Sequence, residues 1–265
     1  MSEDLDIQKA AEAIRRAEAV LFITGAGVSA DSGVPTFRGV AGLYSDGSTG
    51  AGERIEDVLS GQMLARDPAK VWRYLWRIWR ASAGAEPNAA HEAVAWIESQ
   101  KPASWVLTQN VDGFHRQAGS RNLIEIHGRI DVLDCLGCAR EWATAAILAQ
   151  ADAGSDAPPR CLACGAVLRP RAVLFGEMLP ESEVAKLMAL EQNTAIGAVV
   201  AVGTTGVFPY ISEPMRLAAG LGIPTIEINP EPTEAISPFA AIAVRRSAAE
   251  ALPEIRRRLA LPAVA

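Results

Sequence analysis

VLFITGAGVSADSGVPTFRG, residues 20–39, is the stretch on which the fold turns. The apolar run 20–24 reads as a strand and passes directly into Gly25-Ala26-Gly27. A glycine turn in that position lets backbone N–H groups approach a phosphate at the N-terminus of the next helix. The dinucleotide fingerprint G-x-G-x-x-G is incomplete, because Ala30 stands where its third glycine belongs. No Gly-Lys-Ser/Thr follows, which excludes a P-loop nucleotide hydrolase. Ser29, Ser32 and Arg38 offer donors to phosphate or ribose, and Phe37 sets an apolar ring beside them.

Outward from this turn, short β-rich runs alternate with longer helical stretches, the pattern of an α/β protein whose parallel sheet is covered by helices. Strands are expected at 20–24, 105–108, 123–126, 172–175, 198–202 and 225–228. Several are unbroken apolar runs, as in strands buried on both faces. A helix is expected over 3–19, with Leu5, Ile7, Ala11, Ile14 and Ala17 as its apolar stripe. Residues 39–60, rich in Gly, Ser and Asp, read as a loop followed by a short helix. In VWRYLWRIWR, residues 71–80, Trp72, Leu75, Trp76 and Trp79 recur at i, i+3, i+4 and i+7 and form a core-facing stripe. Tyr74 and Arg77 fall on the opposite face, about one turn apart.

The chain has 265 residues, with 25 Lys plus Arg against 31 Asp plus Glu and a formal charge of −6. That balance carries no footprint for nucleic acid. No apolar run reaches the ~18 residues of a membrane span, and the acidic start MSEDLD is no secretory signal. A cytoplasmic protein is expected, without membrane attachment. All four cysteines fall in one short region, as Cys135-x-x-Cys138 and Cys161-x-x-Cys164. Two such knuckles supply four thiolates to a tetrahedral ion and leave no open position, so one structural Zn²⁺ is expected, ahead of redox or iron–sulfur chemistry. A helix around 142–150 fills the gap between the pairs.

With these residues in hand, the chain resembles the sirtuin family. GAGVSADSGVPTFR (25–38) and TQNVDGFH (108–115) are similar to that family's two signatures, and Ile126-His127-Gly128 to its catalytic-histidine element. RPRAVLFGE (169–177), VGTT (202–205) and EINPE (227–231) resemble its substrate and nucleotide segments, all in family order. The resemblance implies a Rossmann-like NAD-binding domain made of 1–38, 86–130 and 168–265. It also implies a helical insertion carrying the cofactor loop, 39–85, and a zinc-ribbon module, 131–167. It further implies NAD consumed as a co-substrate: acyl groups leave protein lysines as nicotinamide and O-acyl-ADP-ribose are released.

On that basis His127 is the base, a role that suits an imidazole titrating near neutral pH. Asp112 holds the nicotinamide carboxamide, and Gln109 and Asn110 order the ribose and a water; by themselves Asn110 and Asp112 read as an Asx turn. Gly25, Ala26, Gly27 and Ser29 line the cofactor, Phe37 shields the ribose carbon and Arg38 is a phosphate or loop contact. Gly203, Thr204, Thr205, Asn229, Glu231 and Ala248 meet the adenosine half; many relatives have Ser at position 205. His91 suits a capping role and His115 a structural one. The acylated lysine would lie as an extended strand beside 172–176 and 205–209. One subgroup carries Tyr-x-x-Arg to bind the carboxylate of succinyl or malonyl groups, and Tyr74 and Arg77 have that spacing, although an ungapped match puts Leu75 and Ile78 there. An ADP-ribosyltransferase, or a non-catalytic module binding NAD or ADP-ribose, is the competing reading; a dehydrogenase ranks last.

Overall fold

A computed structural model describes residues 2–34, 52–82, 84–149 and 156–261. The strands are β1 (Val20–Thr24), β2 (Trp105–Thr108), β3 (Leu123–Glu125), β4 (Gly128–Cys135), β5 (Glu141–Ala143), β6 (Leu168–Ala172), β7 (Ala198–Val202), β8 (Thr225–Ile228) and β9 (Ile242–Val244). Six of them form a parallel sheet in the order β3-β2-β1-β7-β8-β9, and β5-β4-β6 form a small antiparallel one. β1 pairs with β7 from Val20↔Ala198 to Thr24↔Val202, and every residue of both strands is buried. Their unbroken apolar sequences follow from that double covering. The chain starts at mid-sheet, builds outward to β3, then returns to build the other half from β7. The order reverses between β1 and β7, and in such sheets a crevice opens beyond the carboxyl ends of those two strands.

Helices α1 (Ser2–Arg16), α2 (Ile55–Val58), α3 (Gly61–Arg66), α4 (Pro68–Ala81), α5 (Ala89–Gln100), α6 (Phe114–Gln117), α7 (Thr144–Leu148), α8 (Glu181–Asn193), α9 (Pro209–Gly220) and α10 (Ala248–Ala260) complete the regular structure. Side chains of a strand alternate between faces, and β1 shows how the two layers are filled. Val20 and Phe22 join Ile7, Ile14, Val94, Ile97, Leu252 and Ile255 from α1, α5 and α10. Leu21 and Ile23 join Leu187, Leu190, Ile211 and Met215 from α8 and α9. Burying a side chain such as Phe22 or Ile23 completely contributes about 2–3 kcal/mol each.

The smaller part is organised by α4. Asp67 caps it, accepting from the Lys70 N–H at 3.0 Å, and Pro68 opens the first turn, where a missing N–H costs nothing. One face of α4 gives Val71 and Tyr74 to a cluster with Ile55, Val58, Leu64 and Leu174. The tryptophan face packs Trp72 and Trp76 on Leu133, Ile147 and Leu168 beside the cysteines, as core. Both indoles find acceptors, Trp72 Nε1 on the Leu168 carbonyl at 2.8 Å and Trp76 Nε1 on Ala157 at 2.9 Å.

Four expectations are corrected. Residues 172–175 add no strand to the parallel sheet; β6 ends at Ala172 and runs antiparallel to β4. Beyond it Arg169 forks onto both oxygens of Glu177 at 2.7 and 2.8 Å, and Glu177 accepts the Leu174 N–H at 2.9 Å, closing a turn that drops Leu174 into the α4 cluster. Of that run only Leu174 is buried; Ala172 pairs with Gly128 at the end of β6, and Phe175 makes a single parallel bridge with Ser60. The sixth parallel strand is β9, too short to stand out. The first helix stops at Arg16 and leaves Leu5 half exposed, Ala10 taking its place in the stripe. The helix expected over 142–150 begins only after β5, at Thr144. Among the described residues no helix is long and apolar enough to cross a membrane.

Candidate active site

The turn after β1 is built from two short 3₁₀ turns, Ala26–Val28 and Ala30–Ser32, closed by Gly33 at φ 83°, in place of the expected helix start. The Gly25 and Gly27 N–H groups are already used: they donate to the Val202 carbonyl at 3.1 Å and the Gly203 carbonyl at 2.8 Å. A Cβ on Gly27 would stand 2.7 Å from the Gly203 Cα, and one on Gly25 2.8 Å from the Thr204 Cβ. Close approach of two loops is therefore what demands glycine here. Ala26 and Gly27 remain half-buried at the rim.

Beneath this turn Ser29 meets three side chains, two from the loop after β2 and one from α5. It is fully buried, donates to Asp112 Oδ2 at 2.8 Å and accepts from Asn110 Nδ2 at 3.1 Å. His91 Nδ1 accepts from the Asn88 N–H at 3.2 Å, capping α5, so its Nε2 carries the proton and faces Ser29 Oγ at 3.3 Å. Burial lowers the His91 pKa to about 4, against a smaller raising effect of its Asn88 contact, and the ring is neutral. Burial pushes the Asp112 carboxyl up, while the donors Phe114 N–H and Ser29 pull it back. His115 lies deeper, its Nε2 on Thr24 Oγ1 at 2.9 Å, and burial followed by the nearby His91 lowers it to about 3. Thr24 passes the contact on to Thr108 at 2.9 Å, and Thr108 Oγ1 receives the Asn110 N–H at 3.1 Å. His91 and His115 are thus structural, as read from sequence.

His127 stands between β3 and β4. Its Nδ1 meets the Gln109 carbonyl at 3.1 Å, and its Nε2 meets the Tyr210 hydroxyl at 2.8 Å. A carbonyl only accepts, so Nδ1 carries the proton and Nε2 is the basic nitrogen. Burial lowers the His127 pKa, its Gln109 contact opposing, which favours the neutral ring. Gln109 Nε2 reaches across to Thr204 Oγ1 at 2.6 Å and ties the β2 loop to the β7 loop. Phe208 stacks on Tyr210 with ring centroids 5.5 Å apart, and both stand edge-on to His127. Neither aromatic was picked out from the sequence as a site residue. The only signal there was Phe208 lying within 205–209, the segment expected to meet the peptide.

Around the β7 and β8 ends, Thr204 is buried, Thr205 and Glu231 are exposed, and Asn229 Nδ2 contacts the Thr204 carbonyl at 3.4 Å. Gly203 holds φ 55°, inside the contact with Gly27. Ala248 opens α10 and is buried in the sheet core. A buried carboxylate sequence reading missed, Glu227, holds this loop: it accepts from Ser237 at 2.8 and 2.9 Å, from Thr233 at 3.1 Å, and pairs with Arg245 at 2.7 Å. Phe37 and Arg38 lie outside the described residues. Tyr74 is buried, and exposed Arg77 rests its guanidinium 5.2 Å from the Tyr74 ring centre.

The four cysteines converge. Their sulfurs all lie within 4.8 Å of one another, Cys135–Cys164 at 3.4 Å and Cys138–Cys161 at 3.7 Å. Four ligands at Zn–S distances of ~2.3 Å around one ion give edges near these values. The Gly137 and Cys138 N–H groups both donate to Cys135 Sγ at 3.3 Å, which suits a thiolate. The set fits one structural zinc.

A model of the Sir2 family matches residues 25–209. NAD-dependent protein deacylase 2 of Pseudomonas aeruginosa is 50% identical over 236 residues, 88% of this chain and 90% of that protein. A crystal structure of a Sir2 homologue–NAD complex is similar with a TM-score of 0.78 at 35% identity, covering 95% of this chain and 93% of the other. Sir2Af2 bound to a myristoylated histone peptide gives 0.78 at 31%, covering 97% of each chain. With its matched span opening at the glycine turn and enclosing His127 and every cysteine, this chain belongs to the Sir2 family and is a sirtuin, an NAD-dependent protein deacylase that uses NAD as co-substrate.

Proposed function

We propose that the reaction is the removal of acetyl, and of succinyl or malonyl, from protein lysines, with His127 as the base. The observation that carries the reading is the His127 tautomer: Nδ1 is held by the Gln109 carbonyl, so Nε2 is the nitrogen able to take a ribose hydroxyl proton. Asp112, anchored through Ser29, holds the nicotinamide carboxamide, and Gln109 and Asn110 order the ribose and a water. Gly25 to Gly27 line the cofactor, and Gly203 to Thr205, Asn229, Glu231 and the backbone of Ala248 meet its adenosine half; shielding of the ribose carbon is assigned to Phe37 and a phosphate or loop contact to Arg38. The peptide lies as a strand beside 172–176 and 205–209, where Thr205 and Val207 are exposed. Homologues support such a partner, one being bound to a myristoylated histone peptide.

Acidic acyl groups are assigned to Tyr74 and Arg77. Among the described residues Arg77 has no carboxylate partner, and its contact is the Tyr74 ring face, so the guanidinium is available to a ligand carboxylate. Tyr74 packs with Leu174, which belongs to the segment assigned to the peptide.

Mass spectrometry of mixtures containing NAD and acetyl-, succinyl- or malonyl-lysine peptides tests this. Nicotinamide, deacylated peptide and O-acyl-ADP-ribose should form in equal amounts, and His127→Ala should cut turnover by about 10²-fold or more. Arg77→Met should lower succinyl turnover roughly tenfold while sparing acetyl. Nicotinamide release without deacylated peptide would turn the reading toward ADP-ribosyl transfer. Equal effects on all acyl groups would remove the role of Arg77.

A further inference from the structure

We propose that Tyr210 is a catalytic residue, its hydroxyl relaying the proton between substrate and His127. This rests on the reading of His127 as base. With Nδ1 donating to Gln109, neutral His127 has one lone pair, at Nε2, and the Tyr210 hydroxyl already donates to it at 2.8 Å. A substrate hydroxyl approaching the base finds its acceptor occupied by a phenol.

That phenol is held in place. Tyr210 is the second residue of α9, behind Pro209, and its ring lies within 9° of parallel to Phe208. Both rings meet the imidazole edge-on, at 84° and 88°, so the phenol and imidazole share one packed corner. The hydroxyl has no further hydrogen-bond partner among the described residues, which leaves its lone pairs free to accept. Burial raises the Tyr210 pKa and keeps the phenol protonated, as a relay requires. Tyr210 also sits one residue past the span matched by the family model.

The transfer balances. The proton of a substrate hydroxyl moves to the phenol oxygen while the phenol proton moves to Nε2. Tyr210 ends neutral as it began, His127 becomes imidazolium, and the hydroxyl oxygen keeps its electron pair for the bond it forms. Loss of the imidazolium proton to solvent, by the same path in reverse, resets the pair.

Tyr210→Phe keeps the stacked ring and removes one oxygen. In single turnovers with NAD and acetyl-lysine peptide, its rate should fall about 10–100-fold with both substrate affinities within about twofold. The rate in H₂O–D₂O mixtures should curve for the wild type, with two protons in flight, and be linear for the variant. Without any substrate, the ¹⁵N signal of His127 Nε2 should move downfield in the variant toward that of an unbonded pyridine-type nitrogen. With three histidines in the chain, His127→Ala assigns the signal. An unchanged or faster Tyr210→Phe reaction beside an inactive His127→Ala overturns the relay and leaves His127 the direct base. An unshifted Nε2 signal overturns its premise. An active His127→Ala removes the base reading, and the relay with it.

Discussion

A methyl group on Gly27 would stand 2.7 Å from the Gly203 Cα and 2.8 Å from its carbonyl oxygen, and neither backbone atom can swing away. Gly27→Ala should therefore destabilise the protein by about 1–3 kcal/mol and weaken NAD binding, because the two loops must part. Urea midpoints and calorimetric NAD titrations check both effects. Gly33→Ala is the contrast: φ is 83° but no atom of the described residues beyond its chain neighbours lies within 4 Å, so backbone strain of ~1 kcal/mol is the expected cost. At this scale the glycines were legible from sequence, while the reason for them was not. The motif suggests phosphate contact, whereas their N–H groups go to Val202 and Gly203. Tyr210 was not legible, because it meets His127 across 83 residues of chain and no spacing rule spans that distance.

Helix α4 joins two modules: one face carries Val71 and Tyr74 toward α2 and α3, the other Trp72 and Trp76 toward the cysteine sheet. Its footing on that sheet includes the Trp72 indole bond to Leu168, a residue of β6. Chelation should remove about one zinc per chain, speed hydrogen exchange in β4, β6 and α4, and leave β1 and β7 protected. Uniform exchange in all five elements would mean the zinc holds up the whole fold. The helix was readable from its i, i+3, i+4, i+7 apolar spacing, whereas its Asp67 cap and Pro68 start were not picked out. The run at 172–175 misled because short apolar segments look alike whether they enter a sheet or fill a turn. β9 escaped notice at three residues, two of them only half-buried.

Across the whole molecule, all three histidines are pushed toward the neutral form, His91 to about 4 and His115 to about 3. The unfolded chain protonates its imidazoles near 6.5, so it binds more protons than the fold below that pH. The histidine contribution is complete above about pH 7 and declines as pH falls from 6.5 toward 4. At pH 5 to 5.5 His91 and His115 together should contribute nearly two protons to the uptake on unfolding, a slope of about 2.5 kcal/mol per pH unit, opposed by release from Asp112 and Glu125, whose carboxyls burial pushes up; unfolding enthalpies in buffers of different ionisation heat measure it. An uptake that stays the same in His91→Gln and His115→Gln variants would show that these two imidazoles titrate normally. The α/β class was legible in the alternation of runs; the strand order was not, since β1 finds its partners far along the chain. Finally, of six tryptophans, four (Trp72, Trp76, Trp79 and Trp142) belong to the cluster beside the cysteines. The chain thereby carries its own optical reporter: indole emission senses the metal-bearing module first, so metal occupancy can be followed by fluorescence without a label.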